Sequence, residues 1–187
     1  MKAHRFMLLG LVMVPRLMHA QAISDAVVSR GTLAFDAKAT LGAFTGVTTT
    51  VTGKLLGANS LTGVHGWVEA ATKTLSTNND HRDRDMASSL ESDKYPTMRF
   101  DLDSVIAGEV QGDSTAVTLL GRFTLHGQAR PVTLPGWVWT GARGARFRGA
   151  APLNVKDYGV GGLSKMLGML KMNEMIVVRI DVTFGER

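Results

Sequence analysis

Ile176-Val177-Val178-Arg179-Ile180-Asp181-Val182-Thr183-Phe184 changes character at almost every step. In an extended chain Ile176, Val178, Ile180, Val182 and Phe184 point to one side. Val177, Arg179, Asp181 and Thr183 point to the other. A strand with one apolar face and one mostly polar face belongs to a sheet that meets water on one side only.

The same two-residue period recurs upstream. Val117, Leu119, Gly121, Phe123 and Leu125 share a face, as do Met98, Phe100 and Leu102 opposite Thr97, Arg99, Asp101 and Asp103. Leu33, Phe35, Ala37 and Ala39 oppose Asp36 and Lys38. Phe147, Gly149, Ala151 and Leu153 oppose Arg146 and Arg148. Weaker strands are expected at 48–55, 63–71 and 131–140, giving about eight in all. Consecutive strands of this kind close into a barrel or pair as a sandwich, and periodicity alone serves both. Glycines such as Gly53, Gly121, Gly136 and Gly149 suit bulges, turns and barrel corners.

Two segments depart from the pattern. Asp80 to Glu91 is polar and helix-compatible, with Thr77, Asn78 or Asn79 as cap and Met86 and Leu90 on one face. Pro96 bars its continuation. From Gly159 to Asn173, three glycines precede Leu163, Met166, Leu167 and Leu170 at helical spacing. This segment reads as a loop carrying a short apolar helix before the last strand, and loops of that length are more often functional than not.

The first residues read as a secretory leader: Lys2, His4 and Arg5, then a short apolar run from Phe6 to Val14, then Ala20-Gln21-Ala22 as a small-x-small cleavage pattern. The expected division is 1–22 as signal peptide, cut after Ala22 or else Ala20, and 23–187 as one domain. A periplasmic or secreted location follows from that reading. The whole chain carries 21 Lys and Arg against 16 Asp and Glu. Without Lys2, Arg5 and Arg16 the domain is left with +2, so the basic balance gives little support to nucleic-acid binding. With no cysteine, disulfides, thiol catalysis and cysteine zinc sites are excluded.

Five landmarks in order resemble those of the YceI-like, polyisoprenoid-binding proteins. Leu41-Gly42-Ala43-Phe44-Thr45-Gly46 is similar to the family's "LGxFxG" turn, and Asn79-Asp80-His81-Arg82-Asp83 to its Asn-x-x-Arg-Asp. Lys94-Tyr95-Pro96-Thr97-Met98-Arg99-Phe100 resembles "KYPxIxF". Gly121 to Gly127 with Arg130 to Leu134 resembles "GxLTxHGxxxPVxL", and Asp157-Tyr158-Gly159 resembles "DFGI". Asp85 stands where the family usually has His. The resemblance implies an all-β fold: an eight-stranded antiparallel lipocalin-like barrel with a short helix and an inserted loop or helix before the last strand. It also implies a non-covalent isoprenoid, quinone or fatty-acyl ligand, a homodimer in some relatives, and partnership with a membrane cytochrome in others.

Such a barrel is just wide enough to be filled by side chains or to hold one slender ligand. Gly121, Gly149, Ala37, Ala39 and Ala151 among the inner residues leave room. The expected ligand-binding residues are Leu33, Phe35, Met98, Phe100, Leu119, Phe123, Phe147, Ile176, Val178 and Ile180. Met166, Leu167 and Leu170 are expected to cover the entrance. His81, Arg82 and Arg84 are candidates for a head group; their bland reading is a solvated helix balanced by Asp80, Asp83 and Asp85.

Met166, Met169, Met172 and Met175 recur at every third position. They suit copper(I) by residue type, but serve better as adaptable packing at a pocket mouth. His65, His81 and His126 are a weak zinc set, and no metal or cofactor is expected. No nucleophile elbow or phosphate-binding glycine loop occurs, so no catalytic residue is assigned. Trp67, Trp137 and Trp139 suit ligand stacking or an outer contact surface. The reading is a lipid carrier or store touching membranes transiently, with no nucleic-acid partner. Its rivals are a quinone-holding accessory of a membrane cytochrome and a structural or stress-response barrel with a filled centre.

Overall fold

A computed structural model describes residues 25–40, 42–57, 60–141, 144–161, 164–165 and 170–185. The leader reading, and Met166, Leu167 and Met169, lie outside these residues; Leu170 is described as a strand position only.

The strands are β1 (Asp25–Ala39), β2 (Gly42–Thr48), β3 (Val51–Leu56), β4 (His65–Ala71), β5 (Thr97–Gln111), β6 (Ser114–Leu125), β7 (Gln128–Gly141) and β8 (Gly144–Asn154), followed by β9 (Ser164–Lys165), β10 (Leu170–Lys171) and β11 (Met175–Gly185). One α-helix, α1 (Asp80–Ser89), lies between β4 and β5. Neighbours run β11-β8-β7-β6-β5-β4-β3-β1-β2, and β1 pairs back onto β11 to close the barrel. Both β2 and β3 pair antiparallel with β1, β2 along Leu33 to Ala39 and β3 along Asp25 to Val27. They are two halves of one broken strand, so nine segments occupy eight positions. Closure removes most exposed sheet edge, which answers the choice that periodicity left open.

The alternation of the last strand is realised as expected. Val182 is 2 % and Phe184 4 % exposed, whereas Val177 faces outward. Outside, Arg146 donates Nε and Nη2 to the Asp181 carboxylate at 2.8 and 2.6 Å. Arg179 donates to Asp36 at 2.8 Å. The tryptophans also belong outside: the Arg99 guanidinium lies 4.4 Å from the centre of the Trp67 ring, and Trp137 and Trp139 pair across the sheet with Arg148 and Arg146. None of the three borders the interior cavity described below.

Before the last strand the structure differs from the helix expectation. Gly159 adopts a left-handed φ of 68° and ends a short 3-10 turn. Lys165 then pairs with Leu170, and Ser164 with Lys171, in an antiparallel ladder. The apolar spacing permits a helix without requiring one, and three glycines oppose helix formation.

Candidate functional site

One end of the barrel holds a cavity of about 740 Å³. Its walls are apolar. Leu33 and Phe35 come from β1, Met98 and Phe123 from β5 and β6, and Ile176 and Val178 from β11. Strand alternation sends these side chains inward, because each lies an even number of residues from its inward neighbours.

Helix α1 covers this end. Its position is fixed by the chain before it, where Val47 and Ser76 exchange backbone hydrogen bonds at 2.8 and 2.9 Å and tie that segment to β2. Asn79 accepts the Arg82 backbone N–H at 2.9 Å and so caps the helix. The Asp83 carboxylate accepts from Thr77 N and Thr77 Oγ1 at 2.8 and 2.6 Å, and from Ser76 Oγ at 2.8 Å. Burial pushes the Asp83 pKa up, but these hydrogen bonds and the nearby Arg82 charge prevail and hold it below the usual carboxylate value. Leu75 before the helix and Leu90 after it are buried against the barrel.

Among the described residues, all the polar side chains bordering the cavity come from this helix and its cap: Asn79, His81, Arg82, Asp85 and Ser89. The Arg82 guanidinium lies 4.4 Å from the centre of the Phe44 ring. Phe44 in turn meets Phe35 edge-on at 6.1 Å. A cation is thereby held over the aromatic rim of an apolar hole. His81 lies 3.4 Å from Asp85 and is largely exposed. Arg84 is exposed and does not border the cavity.

Four residues expected to touch a ligand stand elsewhere. Phe100, Leu119, Phe147 and Ile180 are inward-facing but do not border the cavity. The reason lies in the glycines. A β-carbon at Gly121 would stand 2.7 Å from Phe100 Cζ; at Gly149, 2.5 Å from Phe147 Cζ; at Gly136, 2.7 Å from Phe147 Cε2. The inner glycines therefore seat phenylalanine rings, and the space they free is already occupied. Conversely, Phe44, Leu75 and Leu153 border the cavity without having been expected to. Phe44 had a signal in the two glycines that flank it, and Leu153 in its alternating strand. Leu75 had none, because its burial depends on where the loop docks.

The remaining methionines of the copper pattern separate: Met172 borders the cavity and Met175 is 53 % exposed. Among the described residues no three of His, Asp or Glu gather as a metal-ligand group. No helix there is long and apolar enough to cross a membrane.

The other landmark residues form a clasp beside the cavity. His126 and Gly127 make the β6–β7 turn with positive φ values of 51° and 72°. Tyr95 packs on His126 with ring centres 4.6 Å apart. His126 Nδ1 lies 3.1 Å from the Tyr158 carbonyl oxygen. The Tyr158 ring meets Phe123 edge-on at 5.7 Å, which connects the clasp to the cavity wall. Burial, with a smaller push from Asp157, raises the Tyr158 phenol pKa above its usual value.

Residues 25–184 match the model of the YceI-like domain. A UPF0312 protein of Pseudomonas aeruginosa is 36% identical over 98 residues, 48% of each chain. One of Pseudomonas savastanoi pv. phaseolicola is 34% identical over 104 residues, 51% of this chain and 52% of that one. The chain thus spans about half the length of the curated relatives it matches. Among solved structures, a polyisoprenoid binding domain from Saccharophagus degradans, implicated in plant cell wall breakdown, superposes with a TM-score of 0.73 at 14% identity, covering 88% of this chain and 99% of that one. Burkholderia cenocepacia BcnA gives 0.67 at 14% identity, over 82% and 95%. At that identity the likeness is one of fold.

Proposed function

Because this chain belongs to the YceI-like family, we propose that it is a binding protein which holds a long-chain amphiphile, with the tail in the barrel cavity and the head beside α1. The carrying observation is the cavity itself: among the described residues its walls are apolar and its polar side chains lie along the helix that covers it. The structural neighbour described as a polyisoprenoid binding domain supports a tail of that class. Quinone and fatty-acyl tails meet the same wall chemistry.

Burying each tail methylene is worth roughly 0.8 kcal/mol relative to water. A bilayer offers the tail nearly as much, so the tail term alone is close to balanced between protein and membrane. Contacts at the head decide the direction. Arg82, held against Phe44 at the rim, favours an anionic or strongly hydrogen-bond-accepting head group. Near-balance suits a carrier or store, which must release what it takes up. The leader-like residues 1–22 support a periplasmic or secreted setting, where transient membrane contact would load and unload the barrel.

The test is to extract the natively purified protein with organic solvent and identify the lipid by mass spectrometry, then to measure rebinding of that lipid from vesicles. A stoichiometric long-chain amphiphile that rebinds is the expected result. A protein that carries none and takes up none from vesicles of bacterial lipid overturns the reading. A quinone head group in the extract would direct attention to electron transport.

A further inference from the structure

We propose that Phe147, with Phe100, forms a floor which sets the tail length this site accepts. The inference rests on the amphiphile-binding reading above and adds a limit to it.

The cavity occupies only one end of the barrel. On β11 it is bordered by Ile176 and Val178, and the next inward residue, Ile180, is outside it. Across the sheet Val178 pairs with Ala151, Ile180 with Gly149 and Val182 with Phe147. Phe147 is rooted two inward positions below the wall of the cavity. Its ring nevertheless reaches Gly149 on its own strand and Gly136 on β7, which are paired with each other. It therefore leans toward the cavity and fills the level that this glycine pair leaves vacant. Phe100 starts at the level of Phe123 in the cavity wall and leans the other way, so that its ring fills the level of Gly121, one inward position further from the cavity. Phe147 is 6 % exposed and Val182 2 %, so this half of the barrel is packed side chain.

The consequence is a blind pocket. At about 30 Å³ for a water-sized unit, close to the bulk of a methylene, 740 Å³ holds on the order of 25 such units. That is about five isoprene units or one fatty-acyl chain of ordinary length. A much longer polyisoprenoid would leave much of its tail outside the cavity, in water, where each methylene forfeits its burial.

The experiment offers the protein an equimolar mixture of linear isoprenoid alcohols, from two to nine units, in detergent micelles and reads the bound lengths by native mass spectrometry. Wild type should favour about four to five units and bind the nine-unit chain at least tenfold less. Phe147→Ala should move the preferred length upward by one unit or more. Because that substitution leaves a cavity in a packed layer, Phe147→Leu provides a milder opening that should move it in the same direction. Leu33→Phe, which adds bulk above the floor, should move it downward. Wild type that binds the nine-unit chain as well as the four-unit chain overturns the floor. So do folded variants, judged by circular dichroism, that all keep the wild-type preference. If no length binds to any variant, the amphiphile reading itself has failed and the floor fails with it.

Discussion

The ring of Phe147 rests over Gly149, with Cζ 2.5 Å from the place a β-carbon at that position would take; the Pro135 carbonyl oxygen is equally near. A ring could rotate away from an added methyl group, but a paired backbone carbonyl cannot. Gly149→Ala should therefore destabilise the barrel by about 1–3 kcal/mol, the usual cost of overpacking a filled core. Urea unfolding of the two proteins measures it, and equal midpoints would show that the sheet yields locally.

Gly127 has φ of 72°, and a β-carbon there would meet Tyr95 Cε1 at 2.6 Å. Gly127→Ala combines backbone strain with loss of the Tyr95 contact and should cost on the order of 1–3 kcal/mol. A lowered thermal midpoint is expected, and no shift would mean that the turn can rearrange without disturbing the clasp.

Asp83 anchors the start of α1, and its pKa lies below the ordinary 3.8. A carboxylate depressed in the folded state contributes stability in full above its unfolded pKa. That contribution declines as pH falls from there through the folded value. Asp83→Asn should be less stable than wild type at neutral pH, and the difference should shrink below about pH 4. Denaturant midpoints across the acid range test this. A constant difference at all pH values would assign the loss to packing instead of charge.

Arg82 borders the cavity and Arg84 does not. Arg82→Ala should weaken binding of an amphiphile with an anionic head by about 0.5–2 kcal/mol, while Arg84→Ala should leave it within error. Fluorescence titration with a fatty acid compares them. Equal weakening would point to the general charge of the helix and away from the rim.

The inward set on β11 was legible because a two-residue period is a local property of an extended chain. So were the existence of α1 and its stop before Pro96. Asn79 was one of three caps the pattern allowed; the hydrogen bond to Arg82 selects it. β2 was not legible as a strand, since 41–46 reads as a turn and its pairing follows from how β1 is shared between two segments, whereas the strand expected at 48–55 is β3. The cavity was legible in its existence and misplaced in its extent. Its upper residues Leu33, Phe35, Met98, Phe123, Ile176 and Val178 border the hole, whereas Phe100, Leu119, Phe147 and Ile180 lie outside it.

The sequence by itself determined which side chains of the clearly alternating strands β1, β5, β6, β8 and β11 face inward and, through the order of its landmarks, which family the chain belongs to. Both are written along the chain, as alternation and as spacing. Where the interior is empty was decided by tertiary structure alone. A glycine in a sequence shows volume removed, but whether that volume stays open depends on a ring arriving from elsewhere, such as Phe100 on β5 reaching Gly121 on β6 or Phe147 on β8 reaching Gly136 on β7. That meeting is set by register between strands, which no single strand records.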